Sequence, residues 1–321
     1  MTEQSAARPG TRAAAGSTQR LRAGTIVLLV VGYLAAFTVV ADMRVHRAVQ
    51  DQLGVNIWGY RGPIARQTKV EDRRVVMLGN DLVFGGGLVY EQTVPAYLQR
   101  NLNQKWRRGF AGLIATVVSL AGPTDVAESY LMTLRDYRRL GGDVVCMFTT
   151  ADYAAKLDSM PAVARRSVEP WRHRSVLFRW TGYYPLLPAI ARRGLSGASV
   201  AATPAVEVMS SSRRLDGAGC DGAARGYCDA VLQTVDYVLN AGRRVLIVRP
   251  PFTSEAENDL QDALANRVHD RFGTRVDIRS FDLGRDDELA QWGRGSNPRV
   301  TAHETDRIAD LLTTPLLELM R

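Results

Sequence analysis

The chain has 321 residues and a net charge of +8, is 46% hydrophobic and 23% charged, and carries 28 glycines and 13 prolines. This profile excludes a disordered, collagen-like or polytopic membrane chain, and the length suffices for one large domain or two small ones with a full core. Three cysteines exclude a disulfide framework.

Residues 1–22 form a basic tail, with Arg8, Arg12, Arg20 and Arg22 against Glu3, a net +3. The remaining +5 is interleaved with Asp and Glu over the rest of the chain, and only Lys69, Lys105 and Lys156 are lysines among 41 basic residues. No basic stripe results, so a nucleic-acid partner is not expected.

Residues 23–41 run for 19 positions without a charge. At about 1.5 Å per residue this just crosses a hydrocarbon core of about 30 Å, which predicts one transmembrane helix and the membrane as a partner. A cleaved signal peptide is the rival reading, but its apolar region would be shorter, about 7–15 residues, and followed by a small-residue cleavage site. Here Asp42, Met43, Arg44, His46 and Arg47 continue the run with helical spacing, which favours an uncleaved anchor. Four arginines precede the span and Arg44 and Arg47 follow it, offset by Asp42 and Asp51, so the positive-inside rule puts the N-terminus in the cytoplasm. The expected location is the inner membrane, single-pass, with the main domain on the periplasmic or extracellular side. Residues 42–70 read as a juxtamembrane connector and residues 71–321 as the main domain.

Within that domain, short apolar runs alternate with helical periodicity. The runs are 73–79 (RRVVMLG), 113–120 (LIATVVSL), 143–149 (DVVCMFT) and 244–250 (RVLIVRP), with a more polar one at 275–282 (RVDIRSFD) suited to an edge. Helices are predicted over 93–104, 124–140, 225–241, 256–271 and 303–320. This order predicts an α/β fold with a doubly wound parallel sheet covered on both faces. Residues 155–224 break the rhythm and read as an insertion, whose Trp171, Trp180, Tyr183 and Tyr184 suit satellite packing or an interface. In an oxidising exterior Cys220 and Cys228 can pair across the Gly-rich stretch between them; two free thiols in a loop are the alternative. Cys146, inside an apolar run, reads as a core residue.

Ligands of such sheets bind at the carboxyl ends of strands. After the first strand, Gly79-Asn80-Asp81 leads to Gly85-Gly86-Gly87, without the spacing of a dinucleotide fingerprint or the Lys of a P-loop. His46, His173, His269 and His303 are scattered and no cluster has metal-ligand spacing, so neither a metal nor another cofactor is expected.

The residues of several blocks resemble the SGNH, or GDSL-like, hydrolases, specifically a membrane-anchored branch of the bacterial cell envelope. Residues 56–63 (NIWGYRGP) are similar to that branch's N-x-x-G-F/Y-R-G-P segment, and residues 77–99 to its L-G-D-S-x-T-x-G-x-G block with the following T-x-P-x-x-L helix. Residues 119–131 resemble the second block, 147–153 the third with its N-D pair, and 296–312 the final D-x-x-H block. The resemblance implies a flavodoxin-like three-layer sandwich and, for intact members, an esterase or acyltransferase acting on O-acyl groups of envelope polysaccharide.

Mapped position by position, the nucleophilic serine of the family falls on Asp81 and the aspartate before it on Asn80. The oxyanion-hole glycine falls on Ala121, or on Gly122 with a one-residue slip, and the oxyanion-hole asparagine on Ala151, beside a retained Asp152. Counting back from Arg307 puts the triad aspartate on Asn297 and the histidine on Val300. Ester hydrolysis by this route needs a hydroxyl activated by an imidazole that a carboxylate orients, and valine neither accepts nor donates a proton. Losing one triad member costs on the order of 10⁶ in rate and an oxyanion donor a further ~10²–10³. The expectation is therefore a pseudoenzyme that binds, as a scaffold or accessory subunit of a membrane complex or as a glycan-binding module. Two rescues are open: Asp81 as a carboxylate nucleophile with His303 as base, or a hydroxyl such as Ser119 or Ser296. Against the first stands the plainer reading that Asp81 bonds loop amides and His303 lies in the first turn of the last helix.

Overall fold

A computed structural model describes residues 15–65, 69, 71–109, 113–122, 125, 127–149, 187, 220–221, 224–251, 255–293 and 300–320. The chain divides into two compact units, Met1–Val45 and His46–Arg321.

The first unit holds most of α1 (Ala15–Leu53), a helix of 39 residues. Its stretch Gly24–Arg47 reaches a mean hydropathy of 2.3 and is long and apolar enough to cross a membrane. Its apolar residues from Ile26 to Val40 face outward, with Leu28 75% and Tyr33 72% exposed, so it is not the core helix of a globular domain. Within it Thr38 donates to the Leu34 carbonyl at 2.8 Å and so satisfies its hydroxyl inside the helix.

The second unit is built on five parallel strands: β1 (Asp72–Leu78), β2 (Ile114–Ser119), β3 (Val144–Phe148), β4 (Arg244–Arg249) and β5 (Ile278–Asp282), in the order β2-β1-β3-β4-β5. β3 is a continuous apolar run, with every residue buried, because both of its faces are covered. The register pairs Met77 with Ser119 on one side and with Cys146 on the other, so the carboxyl ends of β1, β2 and β3 lie abreast. Cys146 is fully buried, and burial pushes its thiol pKa up, which leaves it an inert core residue.

The connections are α2 (Asp81–Phe84) and α3 (Val94–Gly109) after β1, α4 (Ala127–Asp136) after β2, α5 (Arg225–Asn240) before β4, α6 (Glu255–Phe272) before β5, and α7 (Asp287–Gly293) and α8 (Ala302–Met320) after β5. α8 packs on α3 and α4 packs on α5. With right-handed crossovers the two pairs fall on opposite faces, which gives the doubly wound three-layer sandwich. The sequence of strands and helices agrees with the expected one. Three differences have local causes. β5 begins only at Ile278, because Val276 and Asp277 form a turn. α4 stops at Asp136 and a separate 3₁₀ turn, Arg138–Leu140, carries the chain to Gly141, whose φ of 62° ends it. α7 escaped the periodicity reading because a helix of 7 residues shows too few turns to display a period.

A larger difference concerns the segment expected to be a connector. Residues 54–62 are part of the second unit, with Val55, Asn56, Tyr60 and Arg61 all buried. Of the insertion at 155–224 the structure describes only Leu187, Cys220, Asp221 and Ala224. Cys220 and Cys228 are joined in a disulfide. It ties the start of α5, where Cys228 is buried on the core-facing side, to the residue eight positions earlier.

Candidate functional site

In a sheet of order 2-1-3-4-5 the strand order reverses between β1 and β3, and a crevice forms at their carboxyl ends. Here that crevice is bordered by Gly79-Asn80-Asp81 after β1, Leu120-Ala121-Gly122 after β2 and Thr149 after β3.

The turn after β1 is built by its own side chains. Asn80 caps α2, its Oδ1 accepting from the Leu82 N–H at 3.1 Å. Gly85, at φ 73°, closes the four-residue helix in the left-handed region. Asp81 opens α2, half-buried, and its Oδ1 accepts from the Gly86 N–H at 3.1 Å. The carboxylate at the position matched to the nucleophile is thus engaged by the loop it belongs to.

Beneath this loop lies a buried arginine. The segment 54–62 folds back on itself: Asn56 receives the Trp58 N–H on Oδ1 at 2.9 Å and donates Nδ2 to the Gly62 carbonyl at 2.8 Å. Tyr60 stands edge-on to Tyr137 at 5.8 Å, and the Tyr137 hydroxyl donates to the Trp58 carbonyl at 2.7 Å. The fold-back brings the Arg61 backbone into a bridge with Ser119 at the end of β2. Its guanidinium donates to the carbonyls of Phe84 and Leu88, and to that of Gly85 at 2.6 Å. It also lies 4.8 Å over the Phe84 ring. Burial lowers the Arg61 pKa to about 10, opposed by the charge of Asp81. One side chain therefore holds the β1 loop to the end of β2. The block N-x-x-G-Y-R-G-P is visible in the sequence, but the role of its arginine is not, because nothing local says which distant carbonyls a long side chain will reach.

Ala121 is buried at the end of β2, and the next residue, Gly122, has the Asp125 carboxylate folded over it, 2.8 Å from where a Cβ would stand. Ser119 is 1% exposed and its Oγ has no hydrogen-bond partner among the described residues. Val300 is half-buried just before α8. Ala151, Asp152, Ser296 and Asn297 lie outside the described residues. His303 is in the first turn of α8, with its side chain 69% exposed and its Nε2 paired to Glu288.

The hydrogen bond that His303 Nε2 donates to Glu288, followed by the charge of Glu288, raises the His303 pKa. Because the folded value lies above the unfolded one, the pair's small contribution is present below about pH 6.5 and fades as pH rises through the folded value. Glu288→Gln is expected to move the His303 titration, followed by imidazole proton NMR, down toward 6.5. An unmoved titration would show that the two side chains do not meet.

On the far side of β3 the polar groups are mutually satisfied. Thr149 Oγ1 donates to Gln261 Oε1 at 2.7 Å, and Gln261 Nε2 donates back to the Thr149 carbonyl at 2.5 Å. Among the described residues no group of three or more His, Cys, Asp or Glu side chains is arranged to hold a metal.

No protein-family profile and no curated protein matches the chain. Among solved structures it is similar to a lipolytic protein of the G-D-S-L family from Desulfitobacterium hafniense DCB-2, with a TM-score of 0.38, 10% identity, and coverage of 75% of this chain and 98% of that one. It is similar to a family two carbohydrate esterase from Cellvibrio japonicus, with a TM-score of 0.39, 11% identity, and coverage of 81% of this chain and 63% of that one. It is also similar to LAE5, an alpha/beta hydrolase from the metagenome of Lake Arreo, Spain, with a TM-score of 0.39, 13% identity, and coverage of 76% and 96%. These likenesses concern the α/β fold alone.

Proposed function

We propose that the chain is a single-pass membrane protein whose α/β domain keeps the loop frame of an SGNH-type hydrolase without its ester chemistry, and acts by binding as an accessory subunit of a membrane complex in the cell envelope. The observation that carries this reading is Asp81: at the position matched to the nucleophile stands a carboxylate bonded to the Gly86 N–H and set beside the charge of Arg61. A carboxylate so held is a weaker nucleophile, and the position matched to its base is Val300. His303, the remaining imidazole near the last block, is drawn outward by Glu288.

The exposed apolar stretch Gly24–Arg47 supports the anchor. The Cys220–Cys228 disulfide supports an oxidising compartment for the domain, which agrees with the arginine-rich tail on the cytoplasmic side.

The test is hydrolysis of 4-nitrophenyl acetate by the full chain in lipid nanodiscs. The expected rate equals that of empty nanodiscs. A higher rate that Asp81→Asn abolishes sinks the non-catalytic reading and makes Asp81 the nucleophile. A higher rate that Ser119→Ala abolishes sinks it in favour of the buried serine.

A further inference from the structure

The two edges of the sheet are finished differently. On β2 the outward main-chain groups are taken by side chains. Asn103 of α3 donates Nδ2 to the Ala115 carbonyl and accepts the Ala115 N–H on Oδ1, both at 2.9 Å, and Gln99 Oε1 accepts the Val117 N–H at 2.9 Å. Arg61 bridges Ser119 at the end of the strand. Side chains so placed close an edge to a further strand. β5 has no such cover. The Val245 N–H donates to the Asp277 carbonyl at 2.8 Å, and Val245 is in register with Ile278. In a parallel ladder this turns the main-chain groups of Asp277, Arg279 and Phe281 toward β4 and those of Ile278, Ser280 and Asp282 outward. The Ile278 carbonyl, both main-chain groups of the exposed Ser280 and the Asp282 N–H have no hydrogen-bond partner among the described residues.

A hollow lies on each side of this strand, and Ser280, Phe281 and Leu311 line both. The one on the α8 side, of about 640 Å³, carries Lys105, Asp310, Thr314 and the Arg279–Glu318 pair. The one on the α6 side, of about 480 Å³, carries Ile247, Leu264, Ala265 and Val268, with the Arg249–Asp262 pair at the carboxyl end of β4. Ile247 is in register with Ser280 and so shares its face of the sheet. Side chains of a strand laid along β5 alternate between these two faces, which suits apolar residues at every second position and polar ones between them.

A second copy of the chain fits less well. Two-fold antiparallel pairing of β5 centred on Ser280 sets Asp282 of one copy against Ile278 of the other, and centring on Arg279 sets two arginines opposite one another. Centring on Phe281 leaves only a short overlap before the chain turns at Leu283.

We propose that the free edge of β5 is a docking site for an extended segment of a partner protein, one that alternates apolar and polar residues and adds a sixth strand to the sheet. Main-chain hydrogen bonds hold the segment, its apolar side chains enter the α6-side hollow and its polar ones the α8-side hollow. The surface lies apart from the crevice at Asp81 and does not depend on what that crevice does.

The probe is a fluorescein-labelled peptide of alternating valine and threonine with lysines at its ends, titrated by fluorescence anisotropy against the full chain in lipid nanodiscs, with empty nanodiscs as the blank. Two further peptides are N-methylated, one at its valines and the other at its threonines. Only every second amide of an added strand faces β5, so one methylation is expected to weaken binding at least about tenfold and the other to leave it within about twofold. Ser280→Pro removes the outward N–H at an edge position, where proline is tolerated, and Ala265→Glu places a charge in the α6-side hollow from an exposed position of its helix. Saturable binding of the unmethylated peptide is expected, with a loss of about tenfold or more in whichever variant keeps the wild-type thermal midpoint. The proposal is overturned by absence of saturable binding, by equal effects of the two methylations, or by wild-type affinity in a folded variant. A dimer of the chain that Ser280→Pro dissociates, read by native mass spectrometry, also overturns it and gives the edge to a second copy.

Discussion

Arg61→Ala is expected to destabilise the α/β domain by about 3–5 kcal/mol, from the buried main-chain carbonyls that it leaves unpaired. Arg61 is 3% exposed as a residue, and its guanidinium satisfies three main-chain carbonyls, those of Phe84, Gly85 and Leu88. Alanine leaves those acceptors in a space too small and too apolar to hydrate well, at about 1–3 kcal/mol for each that stays unpaired. Lysine does not restore the contact, since one ammonium on a flexible stem lacks the planar fork that reaches several carbonyls at once. Pulse proteolysis of the full chain across a urea series reads the effect, and a midpoint for Arg61→Ala equal to wild type would refute the clamp.

Alkaline titration is a poorer probe of the same contact. Arg61 has a folded pKa of about 10 against 12.5, so its contribution makes stability rise as pH climbs through that window. Tyr90, whose burial raises its phenol to about 12 from 10.0, makes stability fall between those values, because the unfolded phenol ionises first. The two slopes oppose one another over most of the same range, and the substitution is therefore the cleaner experiment.

Gly79→Ala is expected to cost about 2–3 kcal/mol. A Cβ on Gly79 would fall inside the envelope of the Val83 Cγ2 methyl, 3.0 Å from the Val83 Cβ and 3.4 Å from the Phe148 Cβ. Val83 is completely buried and stiff at χ1, so the methyl has no rotamer to retreat to and α2 must lift from the end of β1. Asp81→Ser, two residues on at a half-buried position, loses the hydrogen bond to the Gly86 N–H and the carboxylate charge near Arg61, and is expected to cost less, about 1–2 kcal/mol. The same urea series compares them. If Gly79→Ala proves no more costly than Asp81→Ser, the turn after β1 is not packed as tightly as its geometry implies.

These two positions separate what was legible in the chain from what was not. Gly79 belongs to a block recognisable along the sequence, because strand, glycine and capped turn are neighbours within a few residues. Arg61 was equally visible inside its own block, but its partners lie 23 to 27 residues away, and no local rule selects them. The same holds for Glu288, which takes His303 outward from 15 residues upstream, and for Gln261, which closes on Thr149 across a separation of 112.

By itself the sequence determined the order and kind of most elements, the exposed apolar stretch near the N-terminus and the parallel sheet, because these follow from hydrophobic period, run length and turn residues, all of them local properties. Only the tertiary structure decided that residues 54–62 belong to the domain and that Arg61 joins the β1 loop to the end of β2. The reason is physical: burial, pairing and cavity shape are set by segments far apart in the chain, and they exist only once packing has brought those segments together.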